Sequence, residues 1–104
     1  MLPTVIEAAE YQARVVKILS AEEREQFNVW IAQNPLAGDL VVGTGGMRKV
    51  RWAIKGKGKS GGARIIYFEM LASGVVVLLT IYAKSGRESL SAAEIGIKRK
   101  KAGI

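Results

Sequence analysis

The stretch "RIIYFEMLASGVVVLLTIY" (residues 64–82) decides the fold. Its first part, Arg64–Met70, is rich in Ile, Tyr and Phe, which are residue types that favour strands. Its last part, "VVVLLTIY" (75–82), is almost wholly apolar, which is typical of a central strand covered on both faces. Between them "LASG" (71–74) marks a turn. The stretch therefore predicts two neighbouring strands joined by a tight connection.

The segment Met47–Ile54 predicts a third strand, because its polarity alternates with a period of two. Two sets of side chains alternate along it: apolar Val50, Trp52 and Ile54 on one face, and basic Lys49, Arg51 and Lys55 on the other. The preceding "GTGG" (43–46) predicts a tight loop. Short connections between the three strands predict an antiparallel meander.

The N-terminal third predicts a short strand followed by two helices. "PTVIE" (3–7) is the strand, and apolar positions at helical spacing predict a helix over Glu10–Leu19. Ser20 and Glu23 form a capping box that begins the second helix, which we expect to end near Gln33, before "NPLAGD" (34–39). We expect the two helices to form a hairpin over one face of the sheet.

The C-terminal part predicts one more helix. Ser91 and Glu94 form a second capping box, which begins a short helix, and "KRKKAGI" (98–104) predicts a frayed basic end. The element order is β-α-α-β-β-β-α. We therefore expect a compact α+β fold with a mostly antiparallel sheet, in a single domain spanning residues 1–104.

Composition excludes several classes of protein. The chain has 104 residues and contains neither cysteine nor histidine, so disulfides are excluded and we expect neither a metal site nor another cofactor. The longest apolar run, Val75–Leu79, is far shorter than the roughly 18 residues of a membrane span. "MLPTVIEAAEYQ" (1–12) lacks the pattern of a secretion signal. We therefore expect a cytoplasmic protein without a membrane partner.

The net charge of +7 is distributed unevenly along the chain. Residues 1–39 carry three basic and six acidic side chains, whereas residues 40–104 carry thirteen basic and three acidic ones. Between Leu40 and Phe68 there are seven basic residues and no acid. This segregation favours a polyanionic partner, most simply nucleic acid.

"AIKGKGKSGGAR" (53–64) fits both a relaxed P-loop pattern and the dinucleotide-binding fingerprint. Both motifs require a helix directly after the loop, since the helix N-terminus holds the phosphates. Here a strand follows instead, so we reject both. Lys55, Lys57 and Lys59 then extend from a glycine-rich loop, which suits the extended phosphate chain of a polymer.

Lys49 and Arg51 lie two residues apart and so share one sheet face, and Arg64 begins the adjacent predicted strand. Three cations on one face repel each other unless an anion binds there. RNA cleavage needs neither histidine, cysteine nor metal, because the 2′-hydroxyl of the substrate is the nucleophile. The protein then positions the backbone and stabilises the charge that develops on phosphorus, which arginine can do with two hydrogen bonds. A lysine among other cations can serve as the base.

Other side chains near this cluster have simpler explanations. Glu69 and Glu88 suit either a general base or a salt bridge. Aromatic side chains in the predicted strands could stack on a base but fit the core better: Trp52, Tyr67, Phe68 and Tyr82.

The residues "NPLAGDLVVGTGGMRKVRWAIKGKGKSGGARIIYF", followed by "LLTIYAKSGRESLS", resemble the RelE/HigB-type toxins of bacterial type II toxin–antitoxin systems, within the RelE/ParE superfamily. The resemblance runs from about Ser20 to Glu94. It implies a sheet with a helical hairpin on one side and a basic concave face on the other. It also implies a ribosome-dependent endoribonuclease, an mRNA interferase, that cuts mRNA in the decoding site and so inhibits translation. The implied partner is a cognate antitoxin with a helix-turn-helix domain of the HigA type.

The resemblance also assigns roles to individual residues. The implied catalytic residues are Lys49, Arg51, Arg64 and Lys84. The implied RNA- and ribosome-binding residues are Arg48, Lys55, Lys57, Lys59 and Arg87. The chain departs from some members of the family, which carry an arginine and a tyrosine where this sequence has Ser85 and Ser91. Ser91 also suits a helix N-cap.

Two alternatives remain open at the level of the sequence. A ParE-like inhibitor of DNA gyrase would share the fold and act by binding, without nuclease activity. A nucleic-acid-binding domain without activity is the other. The cluster of Lys49, Arg51 and Arg64 favours the nuclease, since a gyrase inhibitor does not need a phosphate-cleaving face.

Overall fold

The computed structural model describes residues 1–54, 62–83 and 90–104. The elements follow in chain order: β1 (Thr4–Glu7), α1 (Ala9–Val15), α2 (Ala21–Gln33), β2 (Asp39–Leu40), β3 (Arg48–Trp52), β4 (Ala63–Met70), a 3-10 turn (Leu71–Ser73), β5 (Val75–Ala83) and α3 (Ala92–Ala102). These residues form a five-stranded sheet in the order β1-β5-β4-β3-β2. The predicted α+β fold with a mostly antiparallel sheet is confirmed.

The meander of β3, β4 and β5 is antiparallel, as the sequence predicts. A register shift between Ile66 and Tyr67 places a bulge in β4 against β5. β1 pairs in parallel with β5, which places the long apolar strand inside the sheet. β2 has two residues and pairs with β3 at the other edge of the sheet. The sequence analysis did not predict β2.

Both predicted capping boxes form. The side-chain oxygen of Ser20 accepts a hydrogen bond from the Glu23 amide at 3.1 Å, and the Glu23 carboxylate accepts one from the Ser20 amide at 2.9 Å. Ser91 and Glu94 repeat this arrangement at the start of α3. Each box satisfies amides that have no partner within the first turn of the helix, and this fixes where α2 and α3 begin.

One side of the sheet, the hairpin face, packs against α1 and α2. Its core comprises twelve of the described residues: Tyr11, Val15, Leu19, Phe27, Ile31, Val50, Ala63, Ile65, Tyr67, Val76, Leu78 and Ile81. The predicted helical hairpin over one face is therefore present. The first helix ends earlier than predicted, at Val15, and a turn leads to Leu19.

The opposite side, the basic face, carries Lys49, Arg51 and Arg64 together with a smaller apolar cluster. The buried members of this cluster are Met47, Ile66, Leu79, Tyr82 and Ile95. Because Ile95 belongs to α3, this helix covers part of the face. The face is therefore not open along its whole length.

The prediction of a frayed C-terminal end is wrong. α3 continues to Ala102, and Gly103 ends it in the left-handed conformation, at φ 77°. Ile104 then packs against the smaller cluster, and its carbonyl accepts a hydrogen bond from Nε of Arg99 at 2.9 Å. A glycine in this position followed by an apolar residue is a typical helix C-terminus. None of the helices in the described ranges is long and apolar enough to cross a bilayer.

Candidate nucleic-acid interface

Strand β3 divides its side chains between the two faces of the sheet. Val50 is buried in the hairpin-face core, and Trp52 packs against that core. Lys49 and Arg51 are displaced from Val50 by one residue and therefore lie on the basic face. Arg51 is exposed and Lys49 is half-buried. The alternation predicted for this strand is thus present at each of these four positions.

The register brings Arg64 to the same place. In the antiparallel pairing of β3 with β4, Arg51 lies directly opposite Arg64. Side chains that face each other in this way have Cβ atoms roughly 4.5–5.5 Å apart. On its other side Arg64 lies opposite Tyr82 of β5. Lys49, Arg51 and Arg64 therefore share one face within two steps of the ladder.

Arg64 is the buried member of the group. Only 6% of its surface is exposed, and Nη1 donates to the carbonyl of Ala63 at 3.3 Å. Its side chain is enclosed within the fold, whereas the side chain of Arg51 is exposed. A buried guanidinium beside an exposed one can hold an anionic group rigidly from one side and flexibly from the other.

In the strand ladder Arg51 and Arg64 lie opposite each other, whereas Lys49 lies opposite Asp39 of β2. Glu7 and Glu10 form ion pairs with Arg24 and Lys98 respectively. Among the described residues, no ion pair includes Lys49, Arg51 or Arg64. Two guanidinium groups in direct opposition repel each other, and a bound phosphate would remove that repulsion.

Arg48 occupies a different place from the other predicted site residues. It lies opposite Tyr67, whose ring is part of the hairpin-face core. Its Nη1 donates to the carbonyl of Gly38 at 2.7 Å, which ties β3 to the loop before β2. The predicted contact of Arg48 with RNA or the ribosome stays a prediction. The position itself has a clear structural role.

Tyr67 holds the same loop from below. Its hydroxyl donates to the carbonyl of Pro35 at 2.8 Å and accepts from the amide of Gly38 at 2.9 Å. Burial raises the pKa of Tyr67. A Cβ atom at Gly38 would lie 2.9 Å from the carbonyl oxygen of Lys49 and 2.8 Å from the Tyr67 ring, so this position requires glycine. The "NPLAGD" segment thereby fixes the edge of the sheet that carries Lys49.

The aromatic side chains considered for base stacking separate by face. Trp52 and Tyr67 lie with the hairpin-face core, away from the cations. Tyr82 and Phe68 belong to the cluster on the basic face. Tyr82 is buried, and Phe68 is half-buried beneath Arg99.

Arg99 is a residue of this face that sequence reasoning missed. Its guanidinium lies 4.6 Å from the centre of the Phe68 ring. Nη1 also donates to the carbonyl of Thr44 at 2.7 Å and to that of Gly45 at 3.0 Å, in the predicted tight loop. Arg99 therefore joins α3 to the loop that leads into β3. Gly103 followed by Ile104 is a sequence signal for a defined helix end, but it does not indicate the contacts of Arg99.

Five predicted site residues lie outside the described residues: Lys55, Lys57, Lys59, Lys84 and Arg87. Glu88, considered as a base, lies there as well, and so does Ser85. Ser91 is described, and its hydroxyl oxygen accepts a hydrogen bond from the amide of Glu94 at 3.1 Å. The N-cap explanation of Ser91 is therefore confirmed.

No protein-family model matches the chain. Among solved structures, the chain is similar to a mutant of the E. coli toxin RelE in its free state, with a TM-score of 0.64 and 18% sequence identity. The similarity covers 95% of this chain and 98% of that one. The chain has a RelE-like fold. The resemblance seen in the sequence is thus confirmed at the level of the fold, over nearly the full length of both proteins.

Proposed function

We propose that this protein is the toxin of a bacterial type II toxin–antitoxin pair and that it cleaves mRNA on the ribosome. The observation that carries the proposal is the position of Lys49, Arg51 and Arg64 on one face of a RelE-like sheet. The fold alone is compatible with several activities. The directly opposed side chains of Arg51 and Arg64, which form no ion pair within the described residues, favour a phosphate-containing substrate.

The proposed reaction uses the RNA itself as the nucleophile. The 2′-oxygen attacks the adjacent phosphorus, and the bond from phosphorus to the 5′-oxygen breaks. The products are a 2′,3′-cyclic phosphate and a 5′-hydroxyl group. The proton lost by the 2′-hydroxyl goes to a base, and the leaving 5′-oxygen gains a proton from an acid or from water.

The protein contributes positioning and charge stabilisation. Arg64 is buried, and we propose that it donates to a non-bridging phosphate oxygen as negative charge develops on it. Arg51 approaches the same group from the exposed side, and Lys49 holds the neighbouring backbone. Removing one preorganised donor from an oxyanion-stabilising site costs about 10²–10³-fold in kcat.

The finer parts of the proposal rest on the resemblance of the sequence to RelE/HigB-type toxins. They are a catalytic role for Lys84, RNA or ribosome contacts for Arg48, Lys55, Lys57, Lys59 and Arg87, and a HigB-type toxin with a HigA-type helix-turn-helix antitoxin. We propose that residues 1–104 act as one domain in the cytoplasm, without a cofactor.

The experiment is induced expression followed by mapping of mRNA 5′ ends. The wild-type chain should produce new 5′ ends within translated regions, and Arg64→Ala should abolish them. Lys17→Ala is the matched control, because Lys17 is an exposed cation on the hairpin side of the molecule. Thermal denaturation of purified Arg64→Ala checks that the buried substitution leaves the fold intact.

Growth arrest by Arg64→Ala without new mRNA ends would contradict the nuclease proposal. A DNA supercoiling assay with purified gyrase would then test the ParE-like alternative, in which the chain inhibits gyrase by binding. Inhibition of supercoiling by both the wild type and Arg64→Ala would favour that alternative.

A further inference from the structure

The outer side of α2 carries a groove that the proposed RNA chemistry does not use. Its floor is formed by Trp30 and Trp52, whose ring centres lie 5.3 Å apart with the ring planes tilted by 49°. Both rings are half-buried, so each keeps part of its surface accessible. Val29 is 53% exposed at the side of the groove. The cavity measures about 560 Å³, which is large enough for side chains of a partner.

Phe27 packs beneath the two tryptophans and supports the floor of the groove. Phe27 is fully buried and contacts Trp52 edge to face, with ring centres 5.1 Å apart. Phe27 also lies against Trp30, with ring centres at 6.1 Å. Because the two tryptophans come from α2 and β3, the groove exists only in the folded chain. The apolar floor is therefore a surface already formed by packed aromatic rings before any partner binds.

The rim of the groove is acidic. Glu22 and Glu25 line it and are exposed, and Gln26 donates to the Glu22 carboxylate at 3.3 Å. Arg24, on the same helix, is directed to Glu7 of β1 and hydrogen bonds to it. Among the described residues, no ion pair includes Glu22 or Glu25. The charged side chains among the described residues that line the groove are thus acidic, in a chain whose net charge is +7.

This combination selects the chemistry of the occupant. Nucleic acid is disfavoured, because its phosphates would lie against two carboxylates. An apolar side chain flanked by lysine or arginine satisfies both features, since it can cover the tryptophans while its cations pair with the rim. We propose that this groove binds a basic, amphipathic segment of a partner protein. It lies on the hairpin side of the sheet, on the opposite face from Lys49, Arg51 and Arg64.

Tryptophan fluorescence tests this directly, because the chain contains only two tryptophans and both line the groove. The probe is an 18-residue amphipathic peptide of leucine and lysine, titrated into the full chain. The matched control peptide has the same pattern with glutamate in place of lysine. The lysine peptide should shift the emission to the blue and bind at least about tenfold more tightly than the glutamate peptide.

Variants localise the effect to the groove. Glu22→Gln combined with Glu25→Gln should weaken binding of the lysine peptide roughly 3- to 10-fold, as expected for two exposed ion pairs. Asp39→Asn, which removes an exposed carboxylate elsewhere, should leave it unchanged. Val29→Lys should weaken binding more strongly, whereas Val16→Lys, at a valine 64% exposed outside the groove, should not.

Three results would overturn the proposal. Equal binding of the lysine and glutamate peptides would mean that the rim does not select charge. A tryptophan shift produced as strongly by single-stranded RNA would identify the groove as a nucleic-acid site. A shift produced by concentrating the chain alone, with matching dimerisation in sedimentation, would identify the occupant as a second copy.

Discussion

The two faces of the sheet are formed by the same strands, yet they differ in the size of their apolar core and in the pairing of their charged side chains. On the hairpin face, twelve described residues form the core, and Glu7 at its edge forms an ion pair with Arg24. On the basic face, five described residues form the core, and three cations lie beside it without an ion pair to any described carboxylate. The hairpin face thus holds most of the buried apolar core, while the basic face carries electrostatic repulsion that a ligand can relieve.

The first prediction compares the two cores. Phe27→Ala on the hairpin face should lower the free energy of unfolding by about 3–5 kcal/mol, because it removes a fully buried ring beneath both tryptophans. Ile95→Ala, at the contact of α3 with the basic face, should cost about 2–3 kcal/mol. Urea denaturation followed by circular dichroism measures both.

Equal losses, or a larger loss for Ile95→Ala, would show that the basic face is as important for stability as the hairpin face. The smaller cluster would then contribute as much to the free energy of unfolding as the larger one, which would contradict the proposed difference between the two faces.

The second prediction concerns the attachment of α3. Arg99→Ala should lower the free energy of unfolding by about 1–2 kcal/mol, because it removes the contact with Phe68 and the hydrogen bonds to the loop at Thr44 and Gly45. Lys100→Ala, at the adjacent exposed position, should change it by less than about 0.5 kcal/mol. Thermal denaturation of the two variants gives the difference, and an equal effect would mean that Arg99 does not hold α3 in solution.

The third prediction concerns the ion pair between Glu7 and Arg24 on the hairpin face. The hydrogen bond from Arg24 holds the pKa of Glu7 below its ordinary value of 4.5. A lowered pKa means that the folded state binds the proton less readily than the unfolded state does. Stability is therefore gained above pH 4.5 and is lost as the pH falls through the lowered pKa.

Glu7→Gln should accordingly cost about 1–2 kcal/mol at neutral pH, and this difference from the wild type should shrink as the pH is lowered below 4.5. Urea denaturation at a series of pH values measures it, with Glu25→Gln, at an exposed carboxylate of α2, as the control. A difference that stays constant from pH 7 to pH 3 would show that the ion pair contributes nothing specific.

Local features of the fold were predictable from the sequence. The capping boxes at Ser20 and Ser91 involve residues three apart, so each can be recognised without knowing the rest of the fold. The alternation of β3 likewise places Lys49 and Arg51 on one face by itself. The position of Arg64 beside them was predictable because a short connection between neighbouring strands predicts antiparallel pairing.

Long-range features were not predictable in the same way. The parallel pairing of β1 with β5 joins residues about 70 positions apart, and no local pattern specifies it. The two residues of β2 are too few to show alternation. The order at the end of α3 depends on contacts of Arg99 with Phe68 and with the loop 43–46, which the sequence "KRKK" does not reveal. The groove was not predictable either, because it depends on a contact between Trp30 of α2 and Trp52 of β3.

Arg51 and Arg48 of β3 allow the most direct test of the proposed role of the basic face, because they lie on opposite faces of the sheet. Arg51 lies on the basic face opposite Arg64, and Arg48 lies opposite Tyr67 with a hydrogen bond to Gly38. The measurement is the single-turnover rate of mRNA cleavage on programmed ribosomes by Arg51→Ala and by Arg48→Ala. We expect Arg51→Ala to lower the rate about 100-fold or more, and Arg48→Ala, which loses at most a binding contact, to lower it far less. Similar rates for the two variants would contradict the claim that the basic face cleaves RNA.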